Sequence, residues 1–294
     1  MKTRKFIISS LIVMTAAAIL FTGCRKREEE DNDASGASDH AFAEGSFNDI
    51  GTIAEQASQG SISAYFRNGD DDASLLSACA TITFDTLNSS NIDTITVDFG
   101  PTNCNCSDGR ARRGKIIISY TGGFHYRDSG LVATLTPSNY FVNDNQLLGT
   151  KTVTNRGHIN SNRLQWDITV NGSVIKANNG GTITWQTTKT KVLLAGETVY
   201  GGPINWSIAS WQIEGNVNGT AANGESFSVV TTSPLVRDMT CGIYRRYFRS
   251  GTFEFTPGTR PIRYVDFGTG LNNNECDNKA IVTVNNNVYN ITLP

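Results

Sequence analysis

The spacing of hydrophobic positions changes once along this chain. Between Ser46 and Ser58, Phe47, Ile50, Ile53, Ala54 and Ala57 recur every three or four residues, with Ser46 or Asn48 placed to cap the start. That pattern predicts one short amphipathic helix. From about Leu75 the period becomes two. Leu164, Trp166, Ile168 and Val170 alternate with Gln165, Asp167 and Thr169; Phe253 and Phe255 flank Glu254; Ile116 and Ile118 flank Ile117; Val282 and Val284 flank Thr283. These runs read as half-buried strands. Asn-Gly pairs at 171–172, 179–180, 218–219 and 223–224, together with Asp108-Gly109, are predicted to be the turns between them, since both central positions of a type I′ turn need positive φ. No helical period separates successive strands, so parallel βαβ units are excluded. The expected fold is all-β: an antiparallel meander or sandwich of hairpins with one short N-terminal helix.

An internal repeat runs through the strands. Ile82-Thr83-Phe84, then Ile95 to Val97-Asp98-Phe99-Gly100, a loop with Cys104 and Cys106, and the strand around Ile116 correspond to Phe253-Glu254-Phe255, then Ile262 to Val265-Asp266-Phe267-Gly268, a loop with Cys276, and Ile281–Val284. The copies lie near 79–121 and 241–294. They predict either one β-domain over 45–294 with internal pseudo-symmetry or two similar β-subdomains.

The N-terminus has a different character. Met1 to Lys5 is basic, Phe6 to Phe21 is sixteen residues without charge, and Thr22-Gly23-Cys24 follows. That is a secretory signal over 1–23, shorter than the roughly 18 apolar residues a spanning helix needs. Its end resembles the lipobox of bacterial lipoproteins, with Gly23 before an acylated Cys24 and Phe21 in place of the usual Leu. The resemblance implies a lipid on Cys24. Residues 24–44 begin Cys-Arg-Lys-Arg-Glu-Glu-Glu-Asp and are expected to form a disordered charged tether. The acids just after Cys24 also resemble surface-export signals of Bacteroidota lipoproteins.

Composition narrows the function classes. The 294 residues hold 25 Lys+Arg, 27 Asp+Glu and 18% charged residues, a balance that argues against nucleic acid as a partner. Removing residues 1–23 takes three bases and no acids, leaving 22 and 27. Five cysteines remain besides Cys24, at 79, 104, 106, 241 and 276, and export implies an oxidising compartment. The repeat pairs Cys241 with Cys276, and Cys79 with Cys104 or Cys106; aligning the acids that follow the loops favours Cys106. With no second closely spaced Cys or His pair, zinc is not expected, and no cofactor motif occurs.

Catalytic signatures are missing too. Only His125 and His158 lie in the folded part, and Gly-x-Ser-x-Gly, His-Glu-x-x-His and phosphate-binding glycine loops do not occur. Carboxylate pairs of the glycosidase kind are spatial and stay open. Arg110, Arg112 and Arg113 are candidates for an anionic ligand, Asp70-Asp71-Asp72 for calcium, and Trp185, Trp206 and Trp211 for sugar stacking or the core. The paired Val-Asp-Phe-Gly segments, Cys79 and Cys106–Lys115 resemble an uncharacterised family of Bacteroidota lipoproteins. The resemblance implies a lipid-anchored protein of the outer membrane, on its surface or periplasmic face, without a known activity. The expected role is non-catalytic glycan or protein binding, or structure; the alternative is an envelope glycan hydrolase.

Overall fold

The computed structural model describes residues 35–58, 80–85, 93–106, 108–121, 128–159, 162–202, 204–244, 247–268 and 276–292. One helix, α1 (Ser35–Ser58), precedes fourteen strands. These are β1 (Thr81–Asp85), β2 (Asp93–Asp98), β3 (Cys104–Asn105), β4 (Ala111–Thr121), β5 (Val132–Val142), β6 (Asn145–Ile159), β7 (Arg163–Ile175), β8 (Thr182–Ala195), β9 (Ser210–Thr220), β10 (Ser226–Asp238), β11 (Phe248–Pro257), β12 (Arg263–Asp266), β13 (Lys279–Val284) and β14 (Asn287–Thr292). They form a single antiparallel meander in chain order, with only the two-residue β3 off the path, beside β4. The all-β expectation holds, as one continuous sheet.

The helix departs from its sequence pattern. It starts at Ser35, so ten residues assigned to the tether are helical, and Asp39, His40, Ala43 and Glu44 are buried. The rest of the tether and the signal segment lie outside the described residues. Buried positions lie all around α1, including Asp49, Glu55 and Gln56 opposite the Phe47-Ile50-Ile53 stripe. The sheet wraps the helix: α1 touches β2, every strand from β4 to β8, and β11. A helix enclosed in this way needs no single apolar stripe, which is why three- and four-residue spacing marked only its second half.

Two of the predicted turns are strand interior. Asn171-Gly172 lies within β7 and Asn218-Gly219 within β9, on either side of Trp185 in the ladder. Both glycines make room. A Cβ on Gly172 would stand 2.1 Å from Phe47 Cζ, and one on Gly219 would stand 2.5 Å from Phe227 Cζ. Phe47 of the helix thus lies flat on Trp185, centroids 5.5 Å apart and planes 4° off parallel. The actual hairpin turns include Asn143-Asp144 and Asn285-Asn286, with positive φ at all four residues.

The repeat has structural counterparts in an order different from the tandem one. The Phe99 N–H donates to Gly114 O of β4 (2.9 Å), and the Phe267 N–H to Gly251 O of β11 (3.0 Å). Asp98 and Asp266 each accept from the glycine two residues on, at 2.8 and 3.0 Å. The strand that receives the motif follows it in the first copy and precedes it in the second, on the side of the sheet centre both times. Gly114 and Gly251 both have positive φ and press on the next strand inward, at Asn139 O and Pro234 O. Gly149 of β6 and Gly215 of β9 press in the same way on β7 and β8. This is the order of a two-fold axis normal to the sheet between β7 and β8.

Candidate functional site

Four acids lie on α1, and the sheet answers each with a cation. Asp39 meets Lys176 (2.7 Å), Glu44 meets Lys189, Asp49 meets Arg110 and Arg112, and Glu55 meets Lys191 (3.5 Å). Burial alone would raise the Glu44 carboxyl, but Lys189, His40 and the Asn48 amide together hold it at about 2. His40, in contact with Glu44 and accepting the Trp185 indole N–H at Nδ1 (3.2 Å), is lowered to about 4, chiefly by burial. Lys151 donates to the Phe47 carbonyl (2.9 Å), and burial with help from Lys191 brings it down to about 7. Ion pairs at this depth offset the desolvation of their own members. They fix how the helix seats in the sheet and leave these side chains engaged with one another.

The three arginines do not converge on a ligand. Arg112 is fully buried, with both terminal nitrogens 2.7 Å from the Asp108 carboxylate and a further contact to Asp49. Arg113, on the opposite face of β4, pairs with Asp144, donates to Asn103 and stacks on Phe141 at 3.8 Å. Arg110 reaches back to Asp49. Adjacent strand residues point to opposite faces, so Arg113 is turned away from Arg110 and Arg112, which share Asp49, and each of the three arginines is paired within the chain. Trp185 and Trp211 are core, as is Trp166; they offer no sugar platform. The Trp206 side chain, His125 and Asp70–Asp72 lie outside the described residues.

The cysteines divide between expectation and correction. Cys241–Cys276 is a disulfide. In the first copy Cys104 is the bonded cysteine and Cys106 keeps its thiol, buried, with Sγ donating to Cys104 O (3.6 Å). The favoured bond through Cys106 is therefore wrong by two residues. Cys106 closes the tight 106–110 turn, where its N–H donates to Arg110 O, and its side chain goes into the core. Cys79 lies outside the described residues. Among the described residues no group of three or more His, Cys, Asp and Glu could hold a metal ion.

Among the described residues, two solvent-facing features lie toward one end of the sheet. A groove of about 560 Å³ runs over β7 to β10, lined by polar side chains that include Arg163, Gln165, Thr190, Gln212 and Glu214. It forms where β10 leaves the ladder, since between the pairs Asn216–Val230 and Ile213–Leu235 two residues of β9 face four of β10. Beyond it lies the β8–β9 loop. His158 Nε2 donates to Glu197 Oε2 (2.7 Å), Glu197 Oε1 accepts the Gly201 N–H (3.0 Å), and the Tyr200 ring stacks on the imidazole at 4.1 Å and 27°. Tyr200 is 68% exposed. The imidazole and carboxylate are nearly covered, at 9% and 14%.

Comparison with known protein families, with curated proteins and with solved structures returns no match. The His158–Glu197–Tyr200 cluster was not visible in the sequence, where His158 reads as an isolated surface histidine. The only local sign was Gly201-Gly202 after an aromatic residue, a turn signal inside a loop.

Proposed function

We propose that the protein is a lipid-anchored lipoprotein of the bacterial outer membrane, held through Cys24, with a non-catalytic role in binding glycan or protein. The observation that carries this reading is that the sheet wraps and encloses α1. The helix fills the interior and its four acids are all paired to the sheet, so the surfaces left for a ligand are the outer face and the loop end. Among the described lining residues of the groove there the one acid is Glu214, and retaining or inverting glycosidases need two. That favours binding over hydrolysis. Polarity supports this location: α1 begins beside the β9–β10 turn, where Asn223 Nδ2 donates to Ser35 Oγ (3.2 Å), and its last turn reaches Lys191, near the other end of β8. The chain enters α1 at Ser35, and the β8–β9 loop lies at the far end of a strand about 45 Å long from that entry.

The test has two arms. Cys24→Ala should move the protein from the membrane fraction to the soluble one with its far-UV circular dichroism unchanged, because a nearly neutral β-domain has no other strong membrane affinity. Full retention of that variant in membranes overturns the anchor. The wild-type lipoprotein, incubated with purified envelope polysaccharide, should retain it and release no reducing ends; accumulation of reducing ends restores the hydrolase reading.

A further inference from the structure

We infer that Tyr200 is a saccharide-stacking platform held rigid by His158 and Glu197. This rests on the binding role proposed above and names its site and ligand class. A pyranose ring presents a face of C–H groups that carry partial positive charge, and the face of an aromatic ring is negative. A stacking platform must therefore offer one free ring face in a fixed orientation. Tyr200 meets both conditions. One face lies on the imidazole of His158, and with 68% of the residue exposed the rest of the ring is open to solvent.

The orientation is fixed from three directions. Val199 O accepts the Gly202 N–H (2.7 Å) across the turn, and Gly201 supplies the positive φ (+71°) that a type II turn needs at that position. Glu197 bridges to Ile204 in a short antiparallel pair, and Gly196 O accepts the Asn205 N–H (2.8 Å). The Glu197 carboxylate ties both sides together, taking the His158 Nε2–H with one oxygen and the Gly201 N–H with the other. A ring ordered before the ligand arrives loses little entropy on binding. The other exposed aromatics among the described residues, Phe84, Tyr264 and Tyr289, sit on β1, β12 and β14, in the outer parts of the meander.

A saccharide suits this patch better than a protein surface does. Among the described side chains of this loop, the exposed apolar ones besides Tyr200 are Val199 and Ile208, and polar groups stand beside them in the chain, with Ser207 N–H and Oγ–H both donating to Asn205 Oδ1 (3.1 and 2.7 Å). A protein interface would want a broader apolar centre.

The experiment uses the full mature chain carrying Cys24→Ser, titrated calorimetrically with chitotetraose, cellotetraose and mannotetraose, with proton NMR of the bound sugar. At least one tetrasaccharide should bind, its ring protons shifted upfield by the tyrosine ring current. Tyr200→Ala should weaken binding about tenfold or more and abolish that shift. Tyr200→Phe should keep both. His158→Ala should weaken binding and reduce the shift while Tyr200 is still present, the signature of positioning; unchanged circular dichroism in each variant excludes misfolding. If Tyr200→Ala binds like the parent, the platform is overturned and glycan binding stands, with the site elsewhere. If none of the three sugars binds, or if an envelope protein is captured through Tyr200 instead, the saccharide assignment is overturned while the anchor is untouched.

Discussion

Substituting Gly172 by alanine tests the packing of helix on sheet most directly. Gly172 is in the middle of β7, with no positive φ, so alanine suits its backbone and would by itself stabilise by roughly 0.4–1 kcal/mol through the unfolded chain. Its added methyl would stand 2.1 Å from Phe47 Cζ and 2.8 Å from Cε1 and Cε2, where ordinary contact is about 3.5–4.0 Å. Phe47 must then move by more than an ångström. It is 1% exposed and lies against Trp185, itself 1% exposed, so the shift propagates into a filled core. Overpacking of this kind costs roughly 1–3 kcal/mol, and with no slack on either side the upper part of that range is expected. Shortening the helical partner should relieve the clash. Phe47→Leu alone leaves a void over Gly172, whereas Phe47→Leu with Gly172→Ala fills it, giving a favourable coupling of about 1–2 kcal/mol between the two sites. Urea denaturation followed by tryptophan fluorescence, on the soluble Cys24→Ser chain, measures all four proteins. A loss under about 0.5 kcal/mol for Gly172→Ala, or strict additivity of the pair, would refute the stacking geometry.

Further outcomes follow from the buried charges and cysteines. Glu44→Gln should cost about 3–5 kcal/mol by stranding Lys189, and Glu44→Leu with Lys189→Met should recover most of it, as read by denaturant midpoint. His40 is lowered from 6.5 to about 4, so the unfolded chain takes the proton first: this contribution is whole above pH 6.5, is lost between 6.5 and 4, and amounts to about 3 kcal/mol. In His40→Gln, which keeps an acceptor for Trp185, stability measured across that window should be flatter. Lys151 is lowered from 10.5 to about 7 and Lys191 is lowered as well, both chiefly by burial, so stability should rise with pH from 7 to 10.5, and Lys151→Met should reduce the rise without abolishing it. Cysteine labelling should tag Cys106 only after unfolding, and Cys106→Ser should leave the disulfide pattern intact. Breaking Cys241–Cys276, which closes a separation of 35 residues, should cost at most about 4 kcal/mol in the chain-entropy picture.

The strands were legible because a half-exposed sheet writes period two into its residues, as in β7 and β8. Turn signals were less reliable, for a physical reason. Glycine after asparagine marks positive φ at Gly224, but at 172 and 219 the glycine is present because an aromatic ring occupies the space of its side chain. Single-sequence patterns do not separate these two uses. The first half of α1 was hidden likewise, since Asp39, His40 and Glu44 look like tether until their partners Lys176, Trp185 and Lys189 are brought to them from more than 130 residues away. Tyr200 and His158 are joined only by the fold. Residue type suggested a site at Arg110–Arg113, where Arg110 and Arg112 are paired with Asp49 and Arg113 with Asp144; the rigid platform comes from residues 158, 197 and 200.

The two-fold order of the sheet explains why one helix can be seated so specifically. Gly114 with Gly251 and Gly149 with Gly215 are the same structural positions in both halves, and Arg112 and Arg249, each two residues before its glycine, are an equivalent pair. Both arginines hold an aspartate on their own side of the sheet, Asp108 and Asp238. On one side only, Asp49 of α1 also reaches the arginine, and the consequence is visible in exposure: the Arg112 side chain is 0% accessible and that of Arg249 is 39%. A symmetric sheet alone would accept the helix in either of two orientations. Charges on its inner face decide between them, because an α1 turned end for end would bring Asp49 toward the Arg249 half and separate Glu44 from Lys189. Exchanging Asp49 for asparagine should therefore loosen the seating of α1, seen as faster amide exchange in residues 45–53, while the outer strands β11 to β14 keep their protection. Uniform loss of protection across the sheet would mean that the helix and both halves open as one unit, and that its orientation owes nothing to this contact.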